Sequence, residues 1–162
     1  MRELTVAMRS ALKTRKRPLW KCPECGHRFV TKNLSHSCVR VPISAHFKGL
    51  PPERKKTFDR WLAVARACGE VTAYAQKTRI IIMARVRFAA TMVRKGYLDT
   101  HLWMRRRVEH PLLRKTEDFG RLGFIHHFRL RSPTDIDSAL VALMREAYRV
   151  GTQEITAKSA GY

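Results

Sequence analysis

Three neighbouring runs decide the fold: Thr78-Arg-Ile-Ile-Ile-Met83, Arg85-Val-Arg-Phe88-Ala-Ala-Thr-Met92 and Leu98-Asp-Thr-His-Leu-Trp103-Met104. In them apolar residues tend to recur at every second position, the period of a strand with one buried face. Val71-Thr-Ala-Tyr74 and Phe124-Ile-His-His-Phe-Arg-Leu130 extend the pattern on either side. The short connections between these runs predict an antiparallel, meander-like sheet. Alternation turns Val86, Phe88, Ala90 and Met92 inward, with Leu98, Leu102 and Met104. Arg85, Arg87, His101 and Trp103 then share the opposite face. On the last strand Phe124, His126, Phe128 and Leu130 lie on one side and Ile125, His127 and Arg129 on the other. Adjacent His126 and His127 point oppositely, so one of them is expected to be a hydrogen-bonded core histidine.

Outward from the sheet the period becomes helical. Phe58, Trp61, Leu62, Ala65 and Cys68 recur at three- and four-residue intervals, Pro52 suits the first turn, and Gly69 supplies the stop. Arg54, Lys55, Lys56, Arg60 and Arg66 fall on the other face, which is expected to be solvated. Ser132-Pro133-Thr-Asp135 reads as the cap and first turn of a closing helix. Its stripe is Ile136, Ala139, Leu140, Leu143 and Ala147, and Gly151 ends it. The predicted fold class is α+β: a small N-terminal module, then a compact antiparallel sheet covered on one face by about two helices.

From Trp20-Lys-Cys22-Pro-Glu-Cys25-Gly26-His27-Arg-Phe29 and the later His36-Ser-Cys38 the N-terminal module is read as a zinc knuckle. Two thiols at Cys-x-x-Cys spacing approach one metal from a single tight turn, and Gly26 permits the backbone just after it. Cys22 and Cys25 are the first two ligands and Cys38 the third. For the fourth the candidates are His36, favoured here, then His27, and after these His46 or no protein ligand at all. Trp20 and Phe29 are expected to form the knuckle's own small core. Four protein ligands leave no open position, so the single zinc ion is expected to be structural. The predicted organisation is a basic arm over 1–19, the knuckle over 20–40, the α+β domain over 41–151 and a tail over 152–162. In the arm Leu4, Met8, Ala11 and Leu12 have helical spacing, followed by Lys13-Thr-Arg15-Lys16-Arg17.

Composition points to the partner. The 162 residues hold 33 Lys and Arg against 13 Asp and Glu, a formal net charge of +20, which attracts polyanions. DNA or RNA is the expected partner, held by its phosphates with little base reading. Arg15, Lys16 and Arg17 of the arm and Arg79, Arg85, Arg87, His101, His127 and Arg129 of the sheet are the candidate contacts. Three of the four cysteines lie in the knuckle, which fits a reducing compartment and a cytoplasmic protein. No apolar run approaches the ~20 residues that span a membrane.

The marks Cys22-Pro-Glu-Cys25-Gly26, Asn33-Leu-Ser-His36-Ser-Cys38, His46-Phe47, Lys77-Thr78-Arg79-Ile80, Phe88-Ala89, Glu109-His110-Pro111, His126-His127-Phe128 and Asp135-Ile-Asp137 resemble domain of unknown function 5655. The form resembled carries a zinc-ribbon-like leader, and the likeness runs from about Trp20 to Gly151. It implies a compact α+β domain after the knuckle and no settled activity. Two further functions are carried beside nucleic-acid binding: a small-anion-binding or catalytic domain using the Arg/His sheet face, and a protein-interaction adaptor. No Ser-His-Asp order, Gly-rich phosphate loop or paired metal carboxylates is evident, so a binding role is favoured over an enzymatic one.

Overall fold

The computed structural model describes residues 16–155. The predicted helix through Leu4 and Leu12, and Arg15 of the basic arm, lie outside the described residues. Two compact units divide between Leu34 and Ser35.

In the first unit, β1 (Trp20–Lys21) pairs antiparallel with β2 (Arg28–Phe29). The turn between them is closed by two backbone bonds of 2.8 Å: Gly26 N–H donates to the Cys22 carbonyl and Cys22 N–H to the His27 carbonyl. Gly26 has φ +73°, a conformation that a side chain would strain. The Trp20 and His27 rings pack on Phe29, at 5.9 and 4.1 Å between centroids.

The second unit contains α1 (Pro52–Cys68), β3 (Thr72–Ala75), β4 (Ile80–Met83), β5 (Arg87–Val93), β6 (Leu98–Met104), β7 (Leu113–Asp118), β8 (Phe124–Leu130) and α2 (Ser138–Gly151). Its fold is α+β. The six strands form one antiparallel sheet in the order β3-β4-β5-β6-β8-β7. The meander therefore runs through β6, after which β8 enters between β6 and β7. Phe58, Trp61 and Ala65 of α1 and Leu140, Met144 and Ala147 of α2 pack with Ile80, Ile82, Leu98, Leu102, Phe128 and Leu130 in one core. Each fully buried large side chain contributes about 1.5–3 kcal/mol. Both α-helices pack on this one face of the sheet.

Several expectations are corrected. β7 was not read from the sequence: Leu113-Arg-Lys-Thr-Glu-Asp118 is a charged edge strand, and such strands lose the apolar alternation that marks paired ones. On β5 the pairing slips between Ile82 and Met83, so Ala89 opposes Ile82 and Arg87 opposes Met83. Phe88 sits in this bulge, buried with Ala89 and Thr91 on the helix side. Ala90 and Met92, expected inside, consequently turn to the open face. The capping box at Ser132 and Asp135 closes a single 3-10 turn, Pro133–Asp135. The α-helix starts later, where the Asp137 carboxylate accepts Leu140 N–H at 2.8 Å. That shift exposes Ala139 and places Met144 and Val150 in the buried stripe.

Arg54 is the largest departure on α1. It is 7% exposed, and its guanidinium donates to the Lys95 carbonyl at 3.1 Å and the Arg131 carbonyl at 3.3 Å. The side chain thus ties α1 to the β5–β6 turn and to the end of β8. These carbonyls satisfy the two terminal nitrogens of the buried cation, while Nε has no hydrogen-bond partner.

Candidate metal centre and the open sheet face

The Cys-x-x-Cys turn and the loop after it bring Cys22, Cys25, His36 and Cys38 together, one donor atom of each lying within 4.8 Å of the others. Cys38 Sγ is 3.4 Å from His36 Nε2. Three thiolates and an imidazole form a donor set suited to a tetrahedral transition ion, for which Zn–S bonds of ~2.3 Å set donors ~3.8 Å apart. His36 is the histidine of this cluster. His27 packs on Phe29, and His46 Nε2 is 2.7 Å from the Gln76 carbonyl in the second unit. The cluster can hold one metal ion.

The sheet's open face follows from register. Asp99, His101 and Trp103 of β6 oppose Arg129, His127 and Ile125 of β8, and Ala90 of β5 opposes both His101 and Ile81. Paired residues project from the same face, so alternation carries these side chains away from the helices. A cavity of ≈ 60 Å³ is walled by Arg79, Arg87, His101 and Trp103 over Ile81, Ala90 and Ile125. Trp103 is fixed by its Nε1–H, which donates to the Leu122 carbonyl at 2.8 Å, and by stacking on Phe119. A second recess of ≈ 180 Å³ is lined by Tyr97, Asp99, Arg114, Lys115, His127 and Arg129.

The predicted contacts are therefore divided. Arg79, Arg87 and His101 meet at the cavity, while His127 and Arg129 line the recess beside it. Arg85 stands apart from both: its Nε–H donates to Gln153 Oε1 at 2.6 Å, two residues past α2. Lys16 and Arg17 are exposed. Arg79, Arg87, Arg114 and Arg129 have no carboxylate partner among the described residues. Elsewhere Arg106 pairs with Glu146, Arg107 with Asp118 and Arg149 with Glu154. Arg129 instead lies over the Tyr97 ring, 4.1 Å from its centroid.

Sequence reasoning missed two carboxylates. Asp99 Oδ1 lies 3.2 Å from His127 Nδ1, and Glu117 Oε2 lies 2.8 Å from His127 Nε2. The period-two spacing of Asp99 and His101 was the available signal; for Glu117 none existed until β7 was known. Hydrogen bonding to Asp99, opposed by burial and reinforced by Glu117, raises the His127 pKa. Burial pushes the Asp99 carboxyl up, but the His101 and His127 rings beside it hold it well below the usual carboxylate range. Glu117 is lowered by Lys115 and then by His127.

On the other face His126 is fully buried, and its Nε2 accepts Val108 N–H at 3.1 Å. Burial, followed by the charges of Arg107 and Arg106, lowers its pKa to about 4. It is the expected core histidine.

Residues 43–151 match the family model described as domain of unknown function (DUF5655), and the chain belongs to that family. The matched region begins after the knuckle, so the resemblance drawn from Trp20 to Cys38 is no part of it. Comparison with curated proteins and with solved structures yields no significant match. No helix among the described residues is long and apolar enough to cross a membrane.

Proposed function

We propose that this member of the family binds nucleic acid through its phosphates, with the open sheet face as the platform and a zinc knuckle as a separately braced module. The observation that carries the reading is the set of Arg79, Arg87, Arg114 and Arg129, gathered on the face away from α1 and α2 with no carboxylate partner among the described residues. Cations already paired within a protein release few counterions when they meet a polyanion, whereas unpaired ones contribute fully to binding. The net charge of +20 adds long-range attraction. Lys16 and Arg17 supply further contacts, together with Arg15. The thiolate-rich cluster suits one structural zinc ion and a reducing, cytoplasmic setting.

Fluorescence anisotropy with a labelled single-stranded oligonucleotide tests this. Affinity is expected to fall steeply between about 50 and 200 mM salt. Salt-insensitive binding, or a combined Arg79→Ala, Arg87→Ala, Arg129→Ala variant that binds as the wild type does, would refute the reading. For the knuckle, metal analysis is expected to show that Cys22→Ser, Cys38→Ser and His36→Ala each lose a zinc ion that His27→Ala retains.

A second reading rests on the cavity, where Arg79 and Arg87 line one recess with His101. There the bound group is a small oxyanion. Inorganic phosphate at millimolar concentration would then raise the melting temperature of the wild type but not of Arg79→Ala.

A further inference from the structure

Register alone brings Asp99, His101 and His127 together. Asp99 and His101 are two positions apart on β6, and His127 stands directly opposite His101 on β8. One donor atom from each lies within 4.8 Å of the other two. We propose that these side chains form a second metal centre, which binds a divalent transition ion such as Zn²⁺ or Co²⁺ and keeps coordination positions open toward the sheet face. This holds whether or not the protein binds nucleic acid.

Three observations support it. Asp99 Oδ1 is 3.4 Å from His101 Nε2 and 3.2 Å from His127 Nδ1. An ion ~2.1 Å from each donor sets neighbouring donors roughly 3.0–3.4 Å apart. Secondly, His101 is 8% exposed, and its Nε2 faces Asp99 Oδ1 at 3.4 Å without the geometry of a hydrogen bond. A buried ring nitrogen left in this state is costly, and an ion at the centre of the cluster would occupy it. Thirdly, Glu117 Oε2 stands 2.8 Å from His127 Nε2. By accepting Nε2–H, Glu117 fixes the tautomer in which Nδ1 carries the lone pair, the carboxylate–histidine arrangement found behind metal-bound imidazoles.

The two centres differ in kind. Cys22, Cys25, His36 and Cys38 supply four donors and close the shell, whereas Asp99, His101 and His127 supply three, leaving room for water or an oxyanion. Arg114, Lys115 and Arg129 line the same recess, so the chemistry beside the open positions favours an anionic ligand. Without an ion, a proton on Nδ1 hydrogen-bonds Asp99 in its place, and metal and proton compete for that nitrogen.

The full chain, stripped with chelator, would be titrated with Co²⁺ while bound cobalt is counted by equilibrium dialysis. Thiolate ligation produces an intense sulfur-to-cobalt charge-transfer band that a nitrogen–oxygen site lacks. The expected result is one more bound cobalt per chain than that band accounts for. His101→Gln and Asp99→Asn remove the extra ion and leave the band unchanged, and Glu117→Gln weakens it about 10- to 100-fold. Urea midpoints near wild type show that the variants fold. If the band accounts for all bound cobalt, or if the extra ion binds undiminished in both folded variants His101→Gln and Asp99→Asn, the centre does not exist.

Discussion

His126 and His127 are chain neighbours on β8, yet they inhabit different media. One is sealed under the helices with its ring accepting a single backbone N–H; the other stands between two carboxylates. Their pKa values move in opposite directions for that reason. The sheet thus separates a face where apolar burial dominates from one where charge does, and a one-residue step crosses between them.

The division is tested most severely by substitutions at the next two residues. Phe128→Ala on the helix face should cost about 3–5 kcal/mol, read from the urea midpoint. Arg129→Ala on the open face should stay within about 0.5 kcal/mol. A loss above about 2 kcal/mol for Arg129→Ala would break the comparison.

The histidine on the covered side should sharpen it through pH. Its folded pKa is about 4 against 6.5 for the ordinary value, so as pH falls below 6.5 the unfolded chain takes up a proton that the folded one refuses. Its contribution to stability is intact above about pH 6.5 and declines toward pH 4, by up to about 3 kcal/mol. Denaturation midpoints of His126→Asn should show a shallower acid decline than those of the wild type.

Arg54 is a cation placed on the helix side, and truncating it should cost about 1–3 kcal/mol because two carbonyls lose their donor. Exposed Arg60, on the same helix, should tolerate alanine within about 0.5 kcal/mol; equal costs would place the two in equivalent surroundings. The smallest effect on stability belongs to Arg79→Ala and Arg87→Ala. Each should leave the urea midpoint unchanged while reducing the salt slope of oligonucleotide binding by about one.

What could be read from the sequence follows from how local each signal is. The Cys-x-x-Cys turn and the stripe of Phe58, Trp61 and Ala65 are encoded within a few residues, and both were legible. The β6 and β8 alternation was legible for the same reason, since alternate residues are buried from Leu98 to Met104 and from His126 to Leu130. The Phe88 bulge was not, because it depends on how β4 and β5 slip past each other. α2 approaches closely there: a Cβ on Gly151 would lie 2.4 Å from the Phe88 ring. Arg54 was misplaced because a guanidinium among lysines looks solvated until its acceptors, 41 and 77 residues away, are known. Asp99 and Glu117 were overlooked as partners of His127 because Glu117 reaches it across the unrecognised β7.

The position of β8 between β6 and β7 has a consequence for the order of assembly. Among the described strands β7 pairs with β8 alone, yet it is synthesised first. A chain leaving the ribosome can complete β3 through β6 as successive hairpins, but β7 must wait, unpaired, until β8 has emerged and docked on β6. Its arginine, lysine, glutamate and aspartate then protect the nascent protein during that interval, because a charged strand is a poor template for a neighbouring chain.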